Sequence, residues 1–176
     1  VTAPANVNGT AALTLDREKQ GKEMYLSLPG IGTRKISSSQ ENGSFLETVI
    51  TYEEFFAIMT PNYLEDFDVS IIKENKEIYL LHLSPKEETE SYDHIKMEVS
   101  KKHFFFNKIK FYNQNDQLTL TWVNKDIVNI GENYIGKTVI FTDHITREKS
   151  IFKLNQIKYN QGLEDRLFTI RYLRRQ

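Results

Sequence analysis

The feature that most constrains this chain is the alternation of apolar and polar residues between closely spaced turn signals. In the stretch that starts at Asp93, Ile95, Met97 and Val99 alternate with His94, Lys96 and Glu98. A period of two turns one face of a strand toward apolar surroundings and the other toward water. The same split recurs with Leu118, Leu120 and Trp122 against Thr119 and Thr121, and with Met24, Leu26 and Leu28 against Tyr25 and Ser27. Isolated hairpins cannot shield faces of this kind. The sheet must close into a barrel, stack on a second sheet, or have its apolar face covered by helices or a ligand.

Strand signals dominate the rest of the chain. Residues 77–84, 93–100, 103–112, 117–123, 137–142 and 150–159 are rich in β-branched and aromatic side chains, which predicts strands. Between them lie Asn75-Lys76, the segment Asn113 to Asp116, and Gly131 with Gly136, polar turn formers that join antiparallel neighbours. Upstream, "GTAALTLD" and "EMYLSLP" form a predicted hairpin around "REKQGK", and a basic strand follows the Pro29-Gly30 turn. The expected total is about eight or nine strands in an antiparallel meander.

Helical signal is confined to short segments. Tyr52, Phe55, Phe56 and Met59 fall at i, i+3, i+4 and i+7, Thr51 and Glu54 have capping-box spacing, and Pro61 ends the run. Such a helix serves as core packed on the sheet or as a removable lid. A further helical turn is expected around "LEDRLF".

Composition narrows the function classes. At 176 residues and 39% hydrophobic content, the chain suits one domain with a substantial core. Its charges nearly cancel, with a net charge of −1 and a pI near 6.5, so no global field attracts nucleic acid. Cysteine is absent, which removes disulfides, thiolate ligands and Cys nucleophiles. No run of about 18 apolar residues spans a bilayer. The chain opens on Val1 rather than methionine, from which removal of a signal peptide, tag or longer N-terminal part is expected.

Chemistry-bearing motifs are sparse. His82, His94, His103 and His144 lack metal-ligand spacing, and no HExxH, GxSxG or phosphate-cradling loop occurs. Asp143, His144 and Ser150 supply triad residue types, but adjacent strand residues point to opposite faces. A non-enzymatic protein without cofactor or metal is therefore expected. Arg171, Arg174 and Arg175 read as solubilising charge.

Four segments carry a resemblance. "VTAPANVNGTAALTL", "MYLSLPGIGTRKISSS", "NGSFLETVITYEEF" and "LFTIRYLRR" occur in that order, and they resemble the outer-membrane lipoprotein-sorting family, LolA-like periplasmic carriers. Gly9, Thr10, Leu28, Pro29, Gly32, Arg34, Ile36, Gly43, Ser44, Phe45, Tyr52 and Glu53 sit where the family's motifs place them. The resemblance implies a mainly β, curved antiparallel sheet or incomplete β-barrel, with one or two short helices covering the apolar concave face. It implies a single domain over residues 1–176 that lacks the family's N-terminal helix and first strands. Function then follows as periplasmic carriage of lipoprotein acyl chains or lipids, in exchange with an inner-membrane transporter and an outer-membrane acceptor. The alternative is a periplasmic sensor or adaptor of the same fold that acts through protein contacts. Candidate cavity and lid residues are Met24, Leu26, Leu28, Tyr52, Phe55, Phe56, Met59, Ile95, Met97, Val99, Leu118, Leu120 and Trp122. An edge strand containing Ala11 and Leu13 is a candidate for self-association.

Overall fold

A computed structural model of the chain describes residues 5–17, 21–37, 40, 43–52, 54–55, 63–86 and 92–175. The described residues form two compact units, one within residues 1–46, 51–56 and 160–176, the other within 47–50 and 57–159.

The first unit is built on a three-stranded antiparallel sheet in the order β1-β2-β3. Its strands are β1 (Ala11–Arg17), β2 (Gly21–Leu28) and β3 (Gly32–Ile36). The β2–β3 turn needs residues that tolerate positive φ, and Gly30 and Gly32 supply them at 74° and 100°. Register places Met24 between Thr14 and Ile36, and Leu26 between Ala12 and Arg34. Leu26 is fully buried and Ile36 and Met24 nearly so. The edge strand β1 is packed against a short helix, here α2 (Ile170–Leu173), whose Leu173 is buried. Thr169 caps that helix by accepting a 3.2 Å hydrogen bond from the Tyr172 amide.

The second unit is a seven-stranded antiparallel meander, β10-β9-β8-β7-β6-β5-β4, in which every strand pairs with its neighbour in sequence. The strands are β4 (Phe67–Glu74), β5 (Ile78–Pro85), β6 (His94–Ser100), β7 (Phe106–Tyr112), β8 (Leu118–Ile130), β9 (Asn133–Asp143) and β10 (Lys149–Lys153). A four-residue helix, α1 (Tyr63–Asp66), leads into β4. The turns close as their residue types require. Asn75 Oδ1 accepts from the amides of Glu77 and Ile78 at 2.8 and 2.9 Å. Asn113 Oδ1 accepts from Asn115 and Gln117, both at 3.1 Å, and Asp143 Oδ1 from Ile145 and Thr146. Neither sheet closes on itself, because β1 and β3 end one and β4 and β10 end the other.

The mainly β, open antiparallel architecture with few short helices is the one read from the sequence. Four details differ. Strand β4 was not anticipated, because its apolar residues Val69, Ile71 and Ile72 break strict alternation around a bulge between Ile71 and Lys73. Residues 103–105 are turn rather than strand, and residues 154–159 follow β10 without regular structure. Gly136 is not a turn residue. It lies in β9, where a Cβ would stand 2.9 Å from Asn124 Cβ. That approach seats the buried Asn124 side chain, which accepts from Trp122 Nε1 and donates to the Phe106 carbonyl, both at 3.1 Å. A buried amide is tolerated there because both of its ends are satisfied.

Candidate functional site

Pairing register aligns the apolar residues of the seven-stranded sheet into two cross-strand rows. One runs Val69, Leu83, Ile95, Phe111, Leu120 from β4 to β8. The other runs Ile71, Leu81, Met97, Ile109, Trp122, Phe141 from β4 to β9. Side chains directly opposite on one face touch, so each row is a continuous apolar track. The middle is dry, with Leu83, Ile95 and Ile109 at 1–2% exposure. At the β4 edge the tracks emerge into water, Val69 at 39% and Ile71 at 59%.

Aromatic rings extend both ends. Toward β10, Trp122 lies 5.4 Å from Phe141, and Phe141 meets Phe152 edge-on at 5.6 Å. Toward α1, Phe111 meets Tyr92 at 5.4 Å, Tyr92 meets Phe67 at 6.3 Å and Phe67 meets Tyr63 at 6.1 Å. Partial burial pushes the Tyr63 hydroxyl up to about 12, since a phenolate is less well solvated there than in open water. In the same unit Ile50 is buried, and the Val49 amide donates to Ser150 Oγ at 3.0 Å.

The opposite face is polar and crowded. His94 stacks on Tyr112 at 4.8 Å and lies 5.0 Å from His82, with Asp93 and Asp116 at its two nitrogens. Lys96 Nζ sits 4.4 Å over the Tyr112 ring. His94, Lys96 and Glu98, read as open to solvent, are therefore half-buried among their neighbours. The triad residue types are engaged separately: Asp143 in its turn, His144 with Thr121 Oγ1 at 2.7 Å, and Ser150 with Val49. Among the described residues no cluster of His, Cys, Asp or Glu is arranged to hold a metal ion. No helix among them is long and apolar enough to cross a membrane.

The sequence-predicted residues fall into both units. Met24 and Leu26 are buried in the three-stranded unit, and Leu28 is half-buried. In that unit Tyr52 meets Phe45 edge-on at 5.5 Å, and Phe55 stacks on Phe45 at 3.7 Å. The capping box is present, with the Thr51 amide donating to Glu54 Oε2 at 2.7 Å and the Glu54 amide to Thr51 Oγ1 at 3.0 Å. Phe56 and Met59 lie outside the described residues. In the meander, Ile95, Met97, Leu120 and Trp122 belong to the rows, and Val99 is half-buried beside them. Leu118 stands opposite Tyr112, because the register shifts between Phe111 and Tyr112. The row members Leu83, Ile109, Phe111 and Phe141 were not singled out from sequence, although the alternation in their strands carried the signal. A separate cleft of about 510 Å³ lies where Val128 to Ile130 and Lys137 meet residues 155–158, and none of the predicted residues lines it.

Comparison with known proteins agrees with this architecture. A DUF1329 family protein from Desulfovibrio piger superposes with a TM-score of 0.85 at 22% identity, over 98% of this chain and 74% of that one. A putative outer membrane lipoprotein-sorting protein domain from Vibrio parahaemolyticus gives 0.84 at 21% identity, over 98% and 74%. A LolA superfamily protein from Nitrosomonas europaea gives 0.69 at 21% identity, over 98% and 75%. A family model described as "-like: Uncharacterized protein" matches residues 1–175. The chain belongs to that family, and its fold is LolA-like. No curated protein matches significantly.

Proposed function

We propose that the protein is a non-enzymatic periplasmic carrier, or chaperone, that shelters the acyl chains of lipoproteins or lipids. One observation carries the reading: two in-register apolar rows cross the meander and emerge at the β4 edge through Val69 and Ile71. An acyl chain of about fifteen methylenes costs on the order of 12 kcal/mol to expose to water. A track lined by Leu, Ile, Phe and Met exchanges one apolar environment for another, so a chain enters and leaves without prohibitive affinity. Met97 adds adaptable packing. The fold shared with the lipoprotein-sorting domain from Vibrio parahaemolyticus supports the reading. On this proposal the domain spans residues 1–176. Within the meander, Val99 and Leu118 extend the sheltering surface beside the rows. An inner-membrane transporter and an outer-membrane acceptor are the exchange partners, and β1 is the edge for self-association.

A second reading, a sensor or adaptor acting through protein contacts, is favoured by the deep burial of Ile95 and Met97 beneath the protein's own atoms. Lipid mass spectrometry on purified protein separates the two. Acyl species at about one per chain, displaced by a fluorescent fatty acyl probe and lost with Ile71→Lys, support the carrier. No acyl species and no probe uptake by the parent would sink it.

A further inference from the structure

Three consecutive phenylalanines run from the β6–β7 turn into the start of β7. Phe106 meets Trp122 edge-on at 4.7 Å, and Phe105 stacks on Phe106 at 4.8 Å. Phe104 turns the other way. It is 76% exposed, at a φ of 51° that large L side chains adopt only with strain. Two unfavourable features, a wet aromatic ring and a left-handed backbone, therefore coincide at one residue. Strain held in place by its surroundings is a marker of a working surface.

The surroundings do hold it. The Phe104 amide donates to the Ser100 carbonyl at 2.9 Å, the Ser100 amide to the Phe105 carbonyl at 3.0 Å, and the Lys102 amide to Ser100 Oγ at 3.2 Å. The neighbouring hairpins brace the turn from both sides. The Lys101 amide donates to the Glu77 carbonyl in the β4–β5 turn at 2.8 Å, and His103 stacks on Tyr134 of β9 at 4.9 Å. Lys101 Nζ is fixed between Glu74, at 2.7 Å, and the face of Tyr79, at 4.3 Å. Lys102 in the same turn and Lys76 in the neighbouring β4–β5 turn are both exposed.

An exposed aromatic ring on a braced turn, with exposed lysines in that turn and the next, fits the interface of an anionic bilayer. The ring enters at headgroup level while the lysines meet lipid phosphates. We propose that the β6–β7 turn docks the seven-stranded sheet on an anionic lipid surface, with Phe104 inserting and Lys76 and Lys102 pairing with phosphates. Docking of this kind holds whether or not the apolar rows carry acyl chains, and its test needs no cargo.

The test mixes the full chain with vesicles of phosphatidylcholine, with and without phosphatidylglycerol. A Phe104→Trp variant reports insertion against the constant emission of the buried Trp122. With anionic vesicles its emission should shift to the blue and be quenched by brominated acyl chains. Phe104→Ser should partition about tenfold more weakly or worse. Lys102→Glu should bind anionic vesicles about tenfold more weakly and leave binding to neutral ones unchanged. Circular dichroism of each variant establishes that it is folded. Partition of Phe104→Ser equal to the parent overturns the proposal. So does unshifted emission of Phe104→Trp with both vesicles, the result expected if the tip served a protein partner.

Discussion

Strands β4 and β6 both flank β5 and feed the same apolar rows, yet their side chains meet opposite fates. Ile95 and Met97 of β6 are 2% and 4% exposed, whereas Val69 and Ile71 of β4 are 39% and 59% exposed. The residues are alike in type and aligned in register, so pattern alone does not decide burial. Alternation selects the face on which an apolar residue stands, and what packs over that face decides whether it becomes interior.

Charge insertion tests this contrast most severely. Met97→Asp places a carboxylate in the dry part of the row and should cost about 4 kcal/mol or more, while Ile71→Asp should stay within about 0.5 kcal/mol. Urea midpoints of the two variants measure the difference, and equal losses would break the comparison. Within the interior, Gly136→Ala drives a Cβ to 2.9 Å from Asn124 and should cost about 2 to 3 kcal/mol through overpacking. A neutral result would mean that β8 and β9 can separate locally.

The α1 end of the apolar row is tested by pH. Folded protein retains a Tyr63 proton that an unfolded chain releases near the ordinary value of 10.0. Stability should therefore be intact below about pH 10 and fall by about 2 kcal/mol as pH rises toward 12. Tyr63→Phe should remove that part of the decline in denaturation curves taken across the range. An unaltered slope would place Tyr63 in water. The smallest expected effect is a gain: Phe104→Gly relieves left-handed strain at an uncovered residue and should stabilise by about 1 kcal/mol, read as a rise in melting temperature. A loss would show that the exposed ring contributes packing after all.

The same contrast explains what could be read in advance. Strand β6 was legible because burial demands its alternation, as was the capping box at Thr51 and Glu54, whose chemistry is local. Strand β4 was not legible. Ile71 and Ile72 are 59% and 50% exposed, so burial does not dictate their placement; Ile71 pairs with Leu81, and Ile72 falls in the bulge that erases what period remains. Gly136 read as a turn because its reason for being glycine, the Asn124 side chain across the ladder, is invisible in one dimension. The rows themselves were half legible. Ile95, Met97, Leu120 and Trp122 were named from alternation, but cross-strand register, which joins them to Leu83, Ile109, Phe111 and Phe141, exists only once strands pair.

Strictly consecutive pairing in the seven-stranded sheet bears on how quickly that sheet can assemble. Each hairpin closes over a short stretch of chain, so the entropy lost in bringing partners together stays small at every step. The longest ladder, β8 with β9, joins thirteen residues to eleven through a two-residue turn at Gly131 and Glu132. Such a hairpin is the natural nucleus, from which β7 and β10 add on either flank. Low contact order of this type favours rapid folding for an all-β protein. Substitutions in the β8–β9 ladder should then slow refolding.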